Sequence, residues 1–198
     1  DVICKDGKYY LYAYILGSKA AREVDETEGP FRLLSKYKYD ESDAGDEGIF
    51  NDAGVLVDDD GRVYIYYGFE RSHMNELDPC NMFEIKKGSY KADVIPAGKK
   101  DDDFFEASSL EDGDKYYLIY SPRKGSRLFY AIADNPYGPF ERKGYIIDNS
   151  VDYPGGNNHG SVCCIKGQWY IFYHRMTNGT IMSRRACAEK IEISPDGT

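Results

Sequence analysis

Short apolar runs separated by polar turns fill the chain, and they recur at a fixed interval. One aromatic word appears four times: Gly7-Lys8-Tyr9-Tyr10-Leu11-Tyr12, Gly61-Arg62-Val63-Tyr64-Ile65-Tyr66, Asp114-Lys115-Tyr116-Tyr117-Leu118-Ile119 and Gly167-Gln168-Trp169-Tyr170-Ile171-Phe172. Its common tyrosines, Tyr10, Tyr64, Tyr117 and Tyr170, stand 54, 53 and 53 residues apart. In the second unit Gly54-Val55-Leu56-Val57 precedes the word and Asp58-Asp59-Asp60-Gly61 forms the turn between them. The third unit runs from Ala107-Ser108-Ser109-Leu110 through Tyr116 to Tyr120 and on to Leu128–Ala133. The fourth runs from Ser161–Ile165 through Trp169 to Tyr173, with a further strand near Thr180–Ser183. Runs of β-branched and aromatic residues bounded by Gly and Asp predict strands, and no segment sustains the 3.6-residue period of a helix. A fixed period with strand chemistry in every unit predicts an all-β repeat fold of β-propeller type.

A second word, Glu28-Gly29-Pro30-Phe31 and Tyr137-Gly138-Pro139-Phe140, is expected to follow a third strand and lead to the outer edge of a blade. The Asp-, Gly- and Lys-rich stretches 40–48 and 93–103 read as loops between blades. No linker divides the 198 residues, so a single domain is expected.

Composition narrows the function. No run approaches the ~18 apolar residues that a membrane-spanning helix requires. A net charge of −9 argues against a nucleic-acid partner, whose phosphates need clustered Lys and Arg. Five scattered cysteines, Cys4, Cys80, Cys163, Cys164 and Cys187, do not form a disulfide framework and are expected to be buried free thiols. Asp58–Gly61 lacks the acidic alternation of a calcium loop, and Asn178-Gly179-Thr180, formally a glycosylation sequon, reads better as a hairpin turn. Asp1–Gly7 reads as the middle of a blade, so a preceding segment is expected and the cellular compartment is left open.

The candidate chemistry lies at one repeat position. Asp52 is 12 residues before Tyr64, Glu106 is 11 before Tyr117, and His159 is 11 before Tyr170. The innermost strand of each propeller blade lines the central channel, so equivalent positions form a ring. A ring holding two carboxylates is what hydrolysis of a glycosidic bond needs, one acid for the leaving oxygen and another carboxylate for water or the sugar. Phe104 and Phe105, directly before Glu106, supply an apolar wall of the kind that raises a carboxyl pKa.

At these residues the chain resembles glycoside hydrolase family 43, five-bladed propellers acting on arabinofuranosides and xylosides. The resemblance rests on Phe50-Asn51-Asp52-Ala53-Gly54-Val55-Leu56-Val57-Asp58-Asp59-Asp60-Gly61, on Phe104-Phe105-Glu106-Ala107-Ser108-Ser109-Leu110 and on Gly156-Asn157-Asn158-His159-Gly160-Ser161. It implies that Glu106 is the general acid and Asp52 the auxiliary aspartate that orients it and holds up its pKa. It implies substrate contacts from His159, Arg184 (with Arg185 as the alternative), Phe105 and Asn51. His159 would also sit beside a bound water or metal, a structural calcium ion being the candidate, and no cofactor is required. Ala53 departs from the proline that often follows the auxiliary aspartate. The family's general base lies in a first blade that would precede Asp1, so the chain is expected to hold blades two to five, with activity impaired in isolation.

The implied function is hydrolysis, by inversion, of α-L-arabinofuranosyl or β-D-xylosyl linkages in plant arabinoxylan. The partner is then an oligo- or polysaccharide, with self-association through open blade edges as a further expectation. Phe50, Phe105 and Tyr153 are the aromatics expected to face sugar. A non-catalytic carbohydrate-binding propeller and a fructan hydrolase are the competing readings.

Overall fold

The computed structural model describes residues 1–15, 18–24, 30–38, 50–111, 115–151, 155–156 and 158–198. Four antiparallel sheets follow one another along the chain. The first contains β1 (Val2–Lys5), β2 (Lys8–Ile15), β3 (Ser18–Val24) and β4 (Arg32–Lys36). The second contains β5 (Gly54–Val57), β6 (Val63–Tyr67), β7 (His73–Leu77) and β8 (Lys91–Ala92). The third contains β9 (Phe104–Glu111), β10 (Tyr116–Pro122), β11 (Arg127–Ala133) and β12 (Glu141–Asp148), and the last β13 (Gly160–Ile165), β14 (Gln168–Thr177) and β15 (Thr180–Ile191). Each sheet keeps its strands in chain order, and the first strands β1, β5, β9 and β13 are neighbours in that order. These are four blades of a β-propeller, as the repeat predicts, and the five-bladed type is the one that the resemblance implies.

The aromatic words are second strands, and their composition follows from having a blade on either side. All five residues of β6 are buried. Val63, Ile65 and Tyr67 enter a core shared with Tyr10, Tyr12 and Tyr37 of the first sheet region. Tyr64 and Tyr66 point the other way, into a core with Leu118, Tyr120 and Phe129 of the third. Strand β10 repeats the division: Leu118 and Tyr120 join that second core, while Ile119 joins a third with Val162 and Ile171 of the last sheet. Successive strand residues point to opposite faces, so a strand between two blades must be apolar at every position.

Tyrosine can serve where phenylalanine would not, because its ring packs while its hydroxyl bonds to a neighbouring blade. Tyr12 Oη donates to the Met82 carbonyl at 2.9 Å, Tyr66 Oη to the Pro136 carbonyl at 2.5 Å and Tyr116 Oη to Asp58 Oδ2 at 2.9 Å. The word ending in Phe140 lies between β11 and β12, and the Phe140 ring meets Tyr66 edge-on at 5.9 Å. Its partner word is described only at Pro30 and Phe31, since Glu28 and Gly29, like stretch 40–48, lie outside the described residues. Stretch 93–103 is a loop as predicted, yet it is anchored: Arg142 pairs with the buried Asp103, and Arg123 Nε donates to the Gly98 carbonyl at 3.1 Å.

None of the cysteines is in a disulfide, but the expectation that they are buried is wrong. Cys4, Cys80 and Cys164 are exposed, and Cys163 and Cys187 are half-buried. Four of the five lie on β1, β13 and β15, in the first and last sheets, and each of those sheets shares only one core with a neighbour among the described residues. Cys80 sits in the 78–82 turn.

The turn after β6 is the tightest point of the second sheet. Gly68 has φ +143°, and a Cβ there would lie 1.9 Å from the Arg71 carbonyl oxygen. Replacing it has to deform the turn, so Gly68→Ala is expected to cost about 1–3 kcal/mol, read as a lower urea midpoint with an unchanged slope.

Candidate active site

Asp52, Glu106 and His159 enter from three consecutive sheets, at the beginnings of β5, β9 and β13. Asp52 lies two residues before β5 with φ 45°, in the left-handed region that Asp and Asn tolerate better than most residues. Asn51 holds the turn, donating from Nδ2 to Asp52 Oδ2 at 3.3 Å while its carbonyl accepts the Gly68 N–H at 3.2 Å. Glu106 is the third residue of β9, opposite Ser121 of β10 between two register shifts. A bulge of this kind re-aims a side chain. His159 immediately precedes β13.

The three side chains converge. His159 Nε2 is 4.0 Å from Asp52 Oδ2 and 3.9 Å from Glu106 Oε1, and one donor atom from each residue lies within 4.8 Å of the others. Glu106 is the most enclosed, at 12% side-chain exposure against about a third for the other two. Burial pushes the Asp52 carboxyl above the ordinary carboxylate value. Glu106 pushes it the same way, and the opposing pull of His159 and Arg184 does not cancel the rise.

Arg184, on β15 opposite Met176, is therefore electrostatically coupled to the cluster, with its Nε donating to the Ile181 carbonyl at 3.3 Å. Of the two neighbouring arginines it is the one that acts on Asp52, and Arg185 pairs across the sheet with Arg175.

Phe105 lies beside the cluster and meets a residue that the repeat does not flag. Its ring centroid is 4.7 Å from that of Phe69, which is 46% exposed. Phe69 occupies the turn after β6, between Gly68, bonded to the Asn51 carbonyl, and Glu70, whose N–H donates to the Phe105 carbonyl at 2.7 Å. The turn thus bridges the backbone beside one carboxylate to the backbone beside the other. Gly68 directly after an all-buried aromatic strand is the sequence signal that could have found it.

Phe50 requires a correction. It was expected to face sugar, yet it is 2% exposed and stacked between Tyr37 at 4.4 Å and Tyr67 at 4.2 Å, part of the first core. Tyr153 and Asn157 lie outside the described residues. Asp1 adds a member from the first sheet that sequence reasoning missed. Its Oδ2 accepts the Val55 N–H at 2.9 Å, which ties the start of β1 to β5.

The donor set bears on a cation. Calcium takes six to eight oxygen ligands, and magnesium or calcium sites favour oxygen over imidazole nitrogen. Two carboxylates and one imidazole at this separation could share an ion only with further ligands, such as water, completing its coordination sphere. These residues do not form a calcium cage by themselves, and no chemical step is assigned to a metal.

The model of glycosyl hydrolases family 43 matches residues 1–198. The chain belongs to this family. It is 35% identical over 98% of its length to a xylosidase/arabinosidase of Thermoclostridium stercorarium, of which it covers 47%, and 30% identical over its whole length to a β-xylosidase of Xylanibacter ruminicola, of which it covers 71%. The chain thus spans about half the length of the first of these relatives. Among solved structures it is similar, with a TM-score of 0.82 and 26% identity, to a family 43 β-xylosidase/α-arabinofuranosidase from a compost microbial metagenome, crystallised with xylotriose in a calcium-free form. The similarity covers all of this chain and 71% of that one. Family 43 membership was legible in the three motifs, and the geometry now gives those motifs a common location.

The raised Asp52 carboxyl has a thermodynamic consequence. A carboxyl whose pKa rises on folding leaves stability intact below its unfolded value, near 3.8, and takes stability away as the pH climbs through the higher folded value. Asp52→Asn cannot ionise and keeps a side chain suited to positive φ. It is expected to melt above the wild type at pH 7 and to lose that advantage as the pH falls toward 4, in thermal melts followed by circular dichroism.

Proposed function

We propose that the chain is part of a glycoside hydrolase that removes β-D-xylosyl or α-L-arabinofuranosyl units from arabinoxylan, with Glu106 as the general acid. The observation that carries this reading is the meeting of Asp52, Glu106 and His159 within 4.8 Å in a chain of family 43. Glu106 is the more enclosed of the two carboxyls, at 12% side-chain exposure against 32% for Asp52, and it faces the same cluster, where an acid for the leaving oxygen has to stand. Asp52 then orients that proton. His159 and Arg184 supply hydrogen-bond donors for sugar hydroxyls, and Asn51 keeps the Asp52 turn in place.

Asp52 is a poor choice for the base of an inverting reaction. Inversion separates acid and base by ~6.5–9.5 Å so that water fits between them, whereas these two carboxylates approach within 4.8 Å. The base would come from a further blade, and the 198 residues alone would turn over ~100- to 10,000-fold more slowly than a version that supplies it. The short separation lies nearer the ~5–5.5 Å of retaining enzymes. A raised Asp52 pKa speaks against a standing carboxylate nucleophile, and proton NMR of the first-formed anomer separates the two mechanisms.

Glu106→Gln keeps the shape and removes the proton. Assayed on aryl β-xylosides and α-arabinofuranosides in a chain extended by one N-terminal blade, it is expected to lower kcat by ~100-fold or more. Full activity in that variant would remove Glu106 as the acid, and sugar binding without turnover in the extended wild type would favour the carbohydrate-binding reading. Phe69, 46% exposed and tilted 57° against the Phe105 ring, offers an apolar ring beside the site that suits a sugar face. Phe69→Ala is expected to raise KM for xylo-oligosaccharides by roughly 3- to 10-fold with kcat nearly unchanged.

A further inference from the structure

The backbone ladder between β13 and β14 ends one residue before the site, and side chains carry the pairing onward. Its last rung sets Gly160 against Tyr173, so the next position would set His159 against His174. There the His159 N–H donates to Nδ1 of the His174 ring at 3.3 Å, and the His174 N–H donates to Oδ1 of Asn158 at 3.4 Å. An imidazole nitrogen and an amide oxygen thus stand where two backbone carbonyls would accept in a continuing sheet.

The surrounding bonds fix this exchange from both sides. Asn158 is fully buried, and its N–H donates to Ser121 Oγ at 3.4 Å, on the residue that pairs with Glu106. The His174 carbonyl accepts from Asn149 Nδ2 at 3.1 Å. Gly160 explains why the chain can run so close. A Cβ there would meet the Phe172 carbonyl oxygen at 2.4 Å and Leu128 Cδ1 at 2.5 Å. Released from the ladder immediately before that contact, His159 turns its ring between the two carboxylates, its centroid 5.9 Å from that of His174.

We propose that His174 is a positioning residue for the site: its Nδ1 lone pair, presented to the His159 amide, fixes the backbone from which the His159 ring reaches between Asp52 and Glu106. Accepting at Nδ1 requires the neutral tautomer with its proton on Nε2. The catalytic consequence rests on the glycosidase reading, while the positioning itself does not. Groups that hold a site residue in place through a hydrogen bond commonly change activity by ~10- to 100-fold when removed, without touching substrate.

The test compares three variants of the full chain. His174→Asn keeps an acceptor near the place of Nδ1, His174→Gln carries its acceptor one methylene too far, and His174→Phe has none. Amide exchange at His159, followed by NMR, is expected to be slow in the wild type and in His174→Asn and at least ~10-fold faster in the other two. In the blade-extended form, kcat is expected to fall ~10- to 100-fold in His174→Gln and His174→Phe with KM little changed, and to recover in His174→Asn. Should the phenylalanine variant fail to fold, the Asn and Gln pair carries the comparison. Equal His159 exchange in all folded variants would overturn the proposal, as would a loss of kcat in His174→Asn as deep as in His174→Gln. The expected exchange pattern in a protein that hydrolyses no xyloside or arabinofuranoside would uphold the positioning and remove the glycosidase reading.

Discussion

Double-sided burial of the second strand in the inner sheets is the constraint on which the architecture depends. A strand between two blades has no solvent face, so β6 sends Val63, Ile65 and Tyr67 into one core and Tyr64 and Tyr66 into the next. The cores are linked through the strands they share, which makes the arrangement of blades cooperative. Five consecutive buried side chains, each contributing of the order of 1.5–3 kcal/mol of transfer free energy, outweigh any local preference of the loops. The position of each first strand follows, because it pairs with the second strand in a register set by the same residues.

The site is what this register leaves at the strand beginnings. Asp52 and His159 lie outside the ladders, and Glu106 lies where the β9–β10 register shifts. All three therefore escape regular pairing at equivalent heights. Bringing two carboxylates within 4.8 Å costs stability, as does holding Asp52 at positive φ, and both costs fall on the same turn. The compensation is local. Asn51 bonds Asp52, Gly68 bonds Asn51, and Glu70 bonds Phe105, so one turn braces both carboxylate-bearing segments.

The sequence disclosed this arrangement unevenly, and the reason is periodicity. Tyr10, Tyr64, Tyr117 and Tyr170 repeat because every unit needs the same strand, and Asp52, Glu106 and His159 were found by counting back from them. Residues that touch a site residue from another strand or turn have no fixed offset. Phe69 reaches Phe105 through a turn, and His174 reaches His159 through the ladder it extends. Phe50 misled because an aromatic beside a site aspartate looks like a sugar platform, whereas Tyr37 and Tyr67 enclose it on both sides. The cysteines misled for the opposite reason: burial was inferred from residue type, and type does not reveal that β1, β13 and β15 belong to sheets that each share only one core with a neighbour among the described residues.

The last sheet illustrates how a repeat can be specialised without being abandoned. Its strands β14 and β15 keep the shared register over Trp169 to Tyr173 and then continue to Thr177 and Thr180, beyond the point where β13 has ended. That overhang carries His174, one position past the last β13–β14 rung, and Arg184, opposite Met176. A strand extended past its neighbour exposes ladder groups that must be satisfied. Here the Asn158 side chain accepts one of them, the His174 N–H, while the His174 ring accepts the N–H of His159. The same bonds that close the end of the sheet thereby hold the imidazole that faces Asp52 and Glu106, so finishing the strand and placing the site residue are one structural event.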